Sequence, residues 1–285
     1  MIPMAYGSAA RIAPQPWTFA NTTTALWLDA SDTATLFDAT SGGSLPAADG
    51  AVARLNDKSG NARHIIQSTA GARPTRRTAV ANGLGVVRFD GSDDVLANAS
   101  AQLPLRSRLV FIVFRENAAI VNSGLLNLRS ATGNDFDSTD GLTIGPGNRT
   151  SSRFNIIGST STGYVLLDGT SPTVAIPTTI YTEALSGTTG TLYRNGVSIS
   201  SDAAFAQFSL LSGGGFAIGA RYLPNIASPY LNGDFCEAAW IDATGLTTGQ
   251  VTDLIDRGNG YLAHKWGLAS SLATDHPYRN SPPTF

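Results

Sequence analysis

The sequence predicts an all-β fold in which two antiparallel sheets face each other, and three observations support this. From residue 25 to residue 242, short β-branched and aromatic runs alternate with Gly, Asn, Asp and Ser clusters, which is typical of consecutive strands. Residues 109–114 are apolar at every position, as expected for a central strand covered on both faces. Alternation over residues 191–194 leads through Asn195 and Gly196 into another strand, which is a hairpin signal.

The same alternation of apolar runs and turn residues predicts the individual strands, and a helical periodicity predicts one helix after them. The predicted strands cover residues 25–29, 52–56, 86–90, 108–115, 125–129, 153–157, 164–167, 179–185, 190–194, 215–221 and 234–242. Thr247 and Gln250 have the spacing of a capping box, and apolar residues then recur at helical spacing until Gly267. A helix over residues 248–266 would lay an apolar stripe on the sandwich.

Composition and charge limit the kinds of partner that we expect the chain to bind. The chain has 285 residues and a formal net charge of −2, so it has no long-range field that would gather nucleic acid. Its longest apolar run is strand-sized, well short of the ~18 residues of a membrane helix, so we expect no membrane insertion. The N-terminus lacks the basic and apolar stretches of a signal peptide.

The first 24 residues are predicted to form an extended arm, because prolines and a threonine-rich run disfavour helix. This arm is either a disordered tail or a strap that orders against a partner. In the second case, its apolar anchors would be Tyr6, Ile12, Trp17 and Phe19. Residues 25–285 are predicted to be one domain that includes the helix and a proline-rich tail.

Several segments, in their order along the chain, carry a resemblance to a known fold family. They are LWLDASD at 26–32, LNDKSGNARH at 55–64, VRFDGSDD at 87–94, LYRNGV at 192–197, FAIGAR at 216–221 and LNGDFCE at 231–237. Together they resemble the concanavalin A-like, laminin-G-like jelly rolls. The ending, with GYLAHKWGL at 260–268 and DHPY at 275–278, is similar to the ends of such domains in bacterial surface proteins and tailed-phage virion proteins.

This resemblance implies a jelly-roll sandwich whose relatives bind glycans or proteins, sometimes through calcium. Our leading hypothesis is a non-enzymatic phage virion protein, either a head decoration or associated with a tail or fibre. Its lectin-like domain would bind host or environmental glycans, and its arm would bind capsid or tail proteins. It would be made in the host cytoplasm without a signal peptide and reside on the particle. A soluble or cell-surface carbohydrate-binding module and a glycan-cleaving enzyme are the alternatives, and a homo-oligomer is left open.

Catalytic signatures are missing from the sequence, so we expect no enzyme. Glycosidases need two carboxylates about 5 to 9.5 Å apart, but Glu116, Glu183 and Glu237 are isolated in the sequence. An aspartate pair brought together by folding is the route to hydrolysis that remains. A nucleophile elbow of the Gly-x-Ser-x-Gly type is absent as well.

Acidic residues suggest one calcium site, since calcium prefers hard oxygen ligands. The candidate ligands lie in the loop 134–141 and are Asp135, Asp137 and Asp140. The alternative is a solvated turn, because Asp and Asn are common turn residues. A second acidic group, at Asp90, Asp93 and Asp94, is expected to cap the backbone of a turn between strands.

Glycan binding needs planar polar groups for sugar hydroxyls and aromatic faces for sugar C–H surfaces, presented on loops. The loop residues that offer these groups are Asn134, Asp135, Tyr222, Asn225, Tyr230 and Asn232. Covering the edge of the core is the alternative role for such Tyr and Asn residues. By contrast, Trp27, Trp240 and Trp266 lie in apolar patterns and are predicted to be core residues.

Overall fold

The computed structural model describes residues 14–104, 106–128, 141–147, 153–158, 164–169, 175–203, 205, 214–221 and 229–285. Its strands within these ranges are β1 Thr24–Asp29, β2 Leu36–Phe37, β3 Arg54–Leu55, β4 Ile65–Ile66, β5 Thr75–Ala81, β6 Leu84–Asp90, β7 Leu96–Asn98, β8 Arg108–Glu116, β9 Leu126–Leu128, β10 Leu142–Pro146, β11 Phe154–Gly158, β12 Tyr164–Asp168, β13 Thr179–Ser186, β14 Thr189–Arg194, β15 Val197–Asp202, β16 Phe216–Ile218 and β17 Asn232–Asp242. The helices are α1 Thr248–Lys265 and the short 3-10 turns Phe19–Asn21, Thr33–Thr35, Ala70–Ala72 and Ala269–Ser271.

These strands form two antiparallel sheets packed face to face, so the predicted jelly-roll sandwich is confirmed. The helix-side sheet runs in the order β15-β14-β13-β8-β17-β6-β5, and β1 also pairs with β17. The outer sheet runs in the order β12-β11-β10-β9-β16-β7-β4-β3-β2. Non-consecutive neighbours in both sheets mean that sites at the sheet ends combine segments distant in sequence.

Strand β8 lies in the middle of the helix-side sheet and is covered on both faces, as its continuous apolar run predicts. Val110 and Ile112 face the outer sheet and belong to the core between the sheets. The alternate residues Leu109 and Phe111 belong to a second core, between the helix-side sheet and α1. The molecule therefore has three layers, two sheets and a helix.

Helix α1 begins where the sequence predicts and ends one residue before the predicted end. Its start has both halves of the capping box: the Gln250 backbone N–H donates to Thr247 Oγ1 at 3.3 Å, and the Thr247 N–H donates to Gln250 Oε1 at 2.9 Å. It ends before Gly267, whose φ of 73° lies in the left-handed region that glycine tolerates. No helix in the described ranges combines the length and apolarity needed to cross a membrane.

The end of the predicted arm packs on the domain instead of projecting from it. Within residues 14–24, Trp17 is 4% exposed and Phe19 is 0% exposed, and both rings belong to the second core. The Phe19 ring lies 5.3 Å from the Tyr261 ring of α1. The Trp17 N–H also donates to Pro283 O at 3.0 Å, which ties this segment to the C-terminal tail. The arm boundary at residue 24 is corrected accordingly, because these aromatic rings complete the core under the helix.

Candidate functional site

A polar groove lies at the end of the sandwich where β1 begins and β17 ends. We name it the threonine groove. Its volume is about 480 Å³, within the roughly 300–1,000 Å³ of small-molecule sites. The polar residues in its lining include Thr22, Thr23, Asn61, Arg63, Gln102 and Asp242.

Buried Asp57 organises the turn that contributes two of these side chains. Its Oδ1 accepts the Trp27 N–H at 2.9 Å, and its Oδ2 accepts the Arg63 N–H at 3.0 Å. The Asn61 amide then donates to Thr24 O at 3.0 Å, and the Arg63 guanidinium donates to a carbonyl of the same strand. The turn after β3 is thereby fixed against the start of β1, so both side chains have defined positions in the groove.

Several polar atoms of the threonine groove have no partner within the part of the chain that the structure describes. Asp242 Oδ1 accepts the Thr244 N–H at 2.9 Å, whereas Asp242 Oδ2 accepts no hydrogen bond there. Likewise, the Thr23 hydroxyl and the Gln102 amide make no hydrogen bond with described residues. The groove therefore offers a carboxylate, an amide and a hydroxyl to a ligand.

A second hollow continues the threonine groove towards the start of α1, and we name it the helix hollow. Its volume is about 280 Å³, and it shares Thr22, Thr23 and Asp242 with the groove. Its remaining walls include Ile241, Leu246, Gln250, Asp253 and Leu254. The shared residues make the two spaces adjacent, and we refer to both together as the cleft; the helix hollow has larger aliphatic side chains in its lining.

A different polar cluster, the Glu237 latch, lies under the C-terminal end of α1 and has its donors and acceptors paired. Glu237 is 0% exposed, and its Oε1 accepts from Trp27 Nε1 at 2.7 Å and from the Tyr261 hydroxyl at 3.1 Å. Its Oε2 accepts from Trp266 Nε1 at 2.9 Å and lies 2.7 Å from Lys265 Nζ. Four donors on one carboxylate fasten the helix to the helix-side sheet.

A bulge in β17 turns Glu237 towards the helix. The pairing of β17 with β8 shifts between Phe235 and Glu237, which places Cys236 as the extra residue. Phe235 faces the core between the sheets, so strict alternation from Phe235 through Cys236 would point Glu237 into that core as well. Cys236 is itself fully buried, and burial raises the pKa of its thiol well above the usual value.

Two lysines extend the latch to Asp29. Lys265 Nζ lies 2.8 Å and Lys58 Nζ lies 2.9 Å from Asp29 Oδ2, and Lys58 also pairs with Asp32 at 2.7 Å. Burial acts to raise the pKa of Asp29, but the two ammonium groups outweigh it, so this pKa is lowered. For Glu237, burial and the nearby Asp29 charge raise the pKa against the opposing effect of Lys265. The latch is thus an ion-pair network that holds layers together.

The structure places two of the predicted glycan-binding residues away from the threonine groove. Tyr230 pairs with Ala220 in an isolated bridge, and Asn232 begins β17, with its amide donating to Asp90 O at 2.9 Å. β17 has 11 residues and ends at Asp242, so Asn232 lies roughly 33 Å from the groove. The other predicted glycan, calcium and anchor residues lie outside the described residues and stay predictions: Tyr6, Ile12, Asn134, Asp135, Asp137, Asp140, Tyr222 and Asn225.

The acidic group beside Asn232 has the turn-capping contacts that the sequence predicts. The carboxylates of Asp90, Asp93 and Asp94 approach within 4.8 Å of one another. Asp94 Oδ2 accepts the Asp90 N–H at 2.9 Å, and Asp90 Oδ1 accepts the Ser92 N–H at 2.7 Å. Burial raises the pKa of Asp94 to about 6, with the neighbouring aspartates adding to the effect.

A further groove, of about 430 Å³, lies on the outer sheet beside β4 and β7. Its amide side chains are engaged within the protein: Gln67 Nε2 donates to Val95 O at 3.1 Å, and Asn98 Nδ2 donates to His64 O at 2.8 Å. Ser68 and Ser100 also line it. Because its amides are already paired, this groove is a weaker candidate than the threonine groove.

Sequence reasoning did not identify the threonine groove, although parts of its signal are visible. The threonine run before β1 lies in the predicted arm, and Asn61 and Arg63 lie in a segment that carries the resemblance but no predicted site. Gln102 and Asp242 have no distinguishing sequence context. The sheet topology brings these four segments together, and that topology cannot be read from local patterns.

Comparisons with known proteins support the fold. Neither a protein-family model nor a curated protein matches the sequence. Domain 4 of AbnA, a GH43 extracellular arabinanase from Geobacillus stearothermophilus solved with arabinotriose, is 16% identical with a TM-score of 0.52, over 70% of this chain and 92% of that one. The CBM40 of the Ruminococcus gnavus IT-sialidase, bound to α2,6-sialyllactose, is 10% identical with a TM-score of 0.41, over 56% of this chain and 98% of that one. At such identities a likeness shows the fold alone, and the chain has the β-sandwich fold of the arabinanase domain.

Proposed function

We propose that this chain is a non-catalytic carbohydrate-binding module and that its glycan site is the threonine groove. The observation that carries the proposal is the set of polar atoms without partners among the described residues: Thr23 Oγ1, the Gln102 amide and Asp242 Oδ2. Sugar hydroxyls both donate and accept, so they need acceptors and donors close together. The groove offers both donors and acceptors.

The charges and the floor of the groove also suit a sugar. Arg63 and Asp242 bring one charge of each sign, so the groove has no strong preference for an anion or a cation. With sugar hydroxyls, the Arg63 guanidinium and the Asp242 carboxylate would make charge-assisted hydrogen bonds, which are stronger than neutral ones. Half-buried Pro104 adds apolar surface to the lining for the C–H groups of a sugar ring, and the buried Ala25 and Leu103 lie beside it in the lining.

A β-sandwich domain of similar fold was solved with arabinotriose, which supports a glycan ligand and suggests the first one to test. The chain is screened on a glycan array that includes arabino-oligosaccharides, and the best ligand is then titrated by calorimetry. We expect saturable binding that Gln102→Ala weakens about fivefold, the effect of one ordinary hydrogen bond. Gln102 makes no hydrogen bond with described residues, so this variant should fold normally.

The control is Ser100→Ala, which alters the groove on the outer sheet and should leave the affinity unchanged. Absence of saturable binding to every glycan, or equal affinity of the Gln102→Ala variant, would contradict the proposal. Release of reducing ends that is lost on substituting Asp242 would support the glycan-cleaving alternative instead.

The virion setting is compatible with a glycan-binding domain and remains a prediction from the resemblance. Its test is detection of the chain on purified particles. The same experiment asks whether residues before Pro14 become protected from protease on the particle, as an attachment arm would be.

A further inference from the structure

The helix hollow adds a different chemistry to the cleft. It shares the lining residues Thr22, Thr23 and Asp242 with the threonine groove, so a sugar in the groove lies next to the hollow. At about 280 Å³ it is smaller than the groove. It suits a substituent of a bound sugar rather than a long chain.

The lining of the hollow is partly aliphatic. Ile241 is fully buried, and Leu246 and Leu254 are half-buried residues packed against the second core. A charged group placed against these aliphatic side chains would lose hydration, and an anion would also be repelled by the Asp242 and Asp253 carboxylates that line the same hollow. A methyl group would gain about fourfold in affinity by leaving water there. The lining therefore favours a neutral substituent that ends in a methyl group.

The remaining walls supply one donor and two acceptors. Gln250 uses its Oε1 in the capping box, and its Nε2 makes no hydrogen bond with described residues. Asp242 Oδ2 is an acceptor without a described partner, and Asp253 pairs through Oδ2 with Arg257 at 2.8 Å, so its Oδ1 is a second acceptor. A donor and acceptors beside an apolar wall match the carbonyl, N–H and methyl of an acetamido group.

We infer that the helix hollow binds the acetamido group of a 2-acetamido sugar whose ring lies in the threonine groove. The inference rests on the proposed function and names the sugar class that the cleft prefers. The acetamido carbonyl accepts from Gln250 Nε2, its N–H donates to Asp242, and its methyl contacts Leu246 and Leu254.

The test compares oligomers of equal length that differ only at carbon 2: N-acetylated, free-amino and hydroxyl forms, in both gluco and galacto configurations. Calorimetry at neutral pH should show that one N-acetylated series binds about tenfold more tightly than its hydroxyl counterpart. Gln250→Glu should reduce this preference to about twofold. The variant retains the cap, since Glu serves at this position of a capping box and a negative charge is favourable at a helix N-terminus.

The matched control for the added charge is Thr252→Glu, two residues along the exposed side of α1 and outside the lining of the hollow. It should keep the full preference for the N-acetylated series. Equal binding of acetylated and hydroxyl forms, or tightest binding of the free-amino form, overturns the inference while the proposed function stands. Failure of every glycan on the array to bind overturns both.

Discussion

The threonine groove and the Glu237 latch are both rich in polar side chains, yet they have opposite physical characters. In the latch, one buried carboxylate accepts from Trp27, Tyr261, Trp266 and Lys265, so its hydrogen-bonding capacity is used inside the protein. In the groove, Asp242 leaves one oxygen without a described partner and lies half-buried at an open surface.

This contrast shows that the pairing of polar groups, more than their number, distinguishes a binding site from a structural network. A buried charge that lost a partner would be strongly unfavourable, so the latch must be complete in the folded protein. An exposed group can exchange water for a ligand at little cost. Substitutions in the latch are therefore expected to change the stability of the protein, and substitutions in the groove are expected to change ligand binding.

The largest expected effect is on the latch. Lys265→Met leaves the carboxylates of Asp29 and Glu237 buried beside each other without the ammonium that joins them. The free energy of unfolding should fall by about 3–5 kcal/mol, measured by urea denaturation. Stability equal to that of the parent protein would show that the latch is dispensable and would remove the contrast with the groove.

The next largest effect is on the threonine groove, where a substitution should change binding and leave stability nearly unchanged. Asp242→Asn keeps an oxygen for the Thr244 N–H and removes the carboxylate charge. Stability should change by less than about 0.5 kcal/mol, while glycan affinity should fall about tenfold, the effect of a charge-assisted hydrogen bond. A large loss of stability with unchanged binding would reverse the assignment of this residue.

The smallest effect concerns the acidic turn at the other end of the sandwich. Because burial raises the pKa of Asp94 from 3.8 to about 6, its stabilising contribution is present below pH 3.8 and is lost as the pH rises through 6. Asp94→Asn should therefore raise the free energy of unfolding by about 1 kcal/mol at pH 7, and no longer do so at pH 3.5.

Thermal unfolding of both proteins across this pH range, with a chelator present, checks this expectation. Repeating it with calcium tests the other role of the turn. If the variant is less stable than the parent only when calcium is added, then Asp90, Asp93 and Asp94 act as metal ligands and the capping interpretation is wrong.

Local patterns in the sequence were sufficient for much of the fold. The apolar run of β8, the hairpin at Asn195 and Gly196, and the capping box of α1 each depend on neighbouring residues, and the structure has all three. Strand β5 is not among the strands that the sequence predicts, because its segment TRRTAVA at residues 75–81 carries two arginines and has no apolar run. An edge strand tolerates such residues, since one side of it remains open to solvent.

Periodicity, turn residues and helix caps act over a few residues, so the two-sheet architecture and its helix can be predicted from the sequence. The position of the candidate site, by contrast, depends on the tertiary structure. The bulge at Cys236 directs Glu237 to the helix, and the sheet order brings Thr23, Arg63, Gln102 and Asp242 to one cleft. Which polar groups are paired depends on contacts between segments far apart in the chain, and no local pattern contains that information.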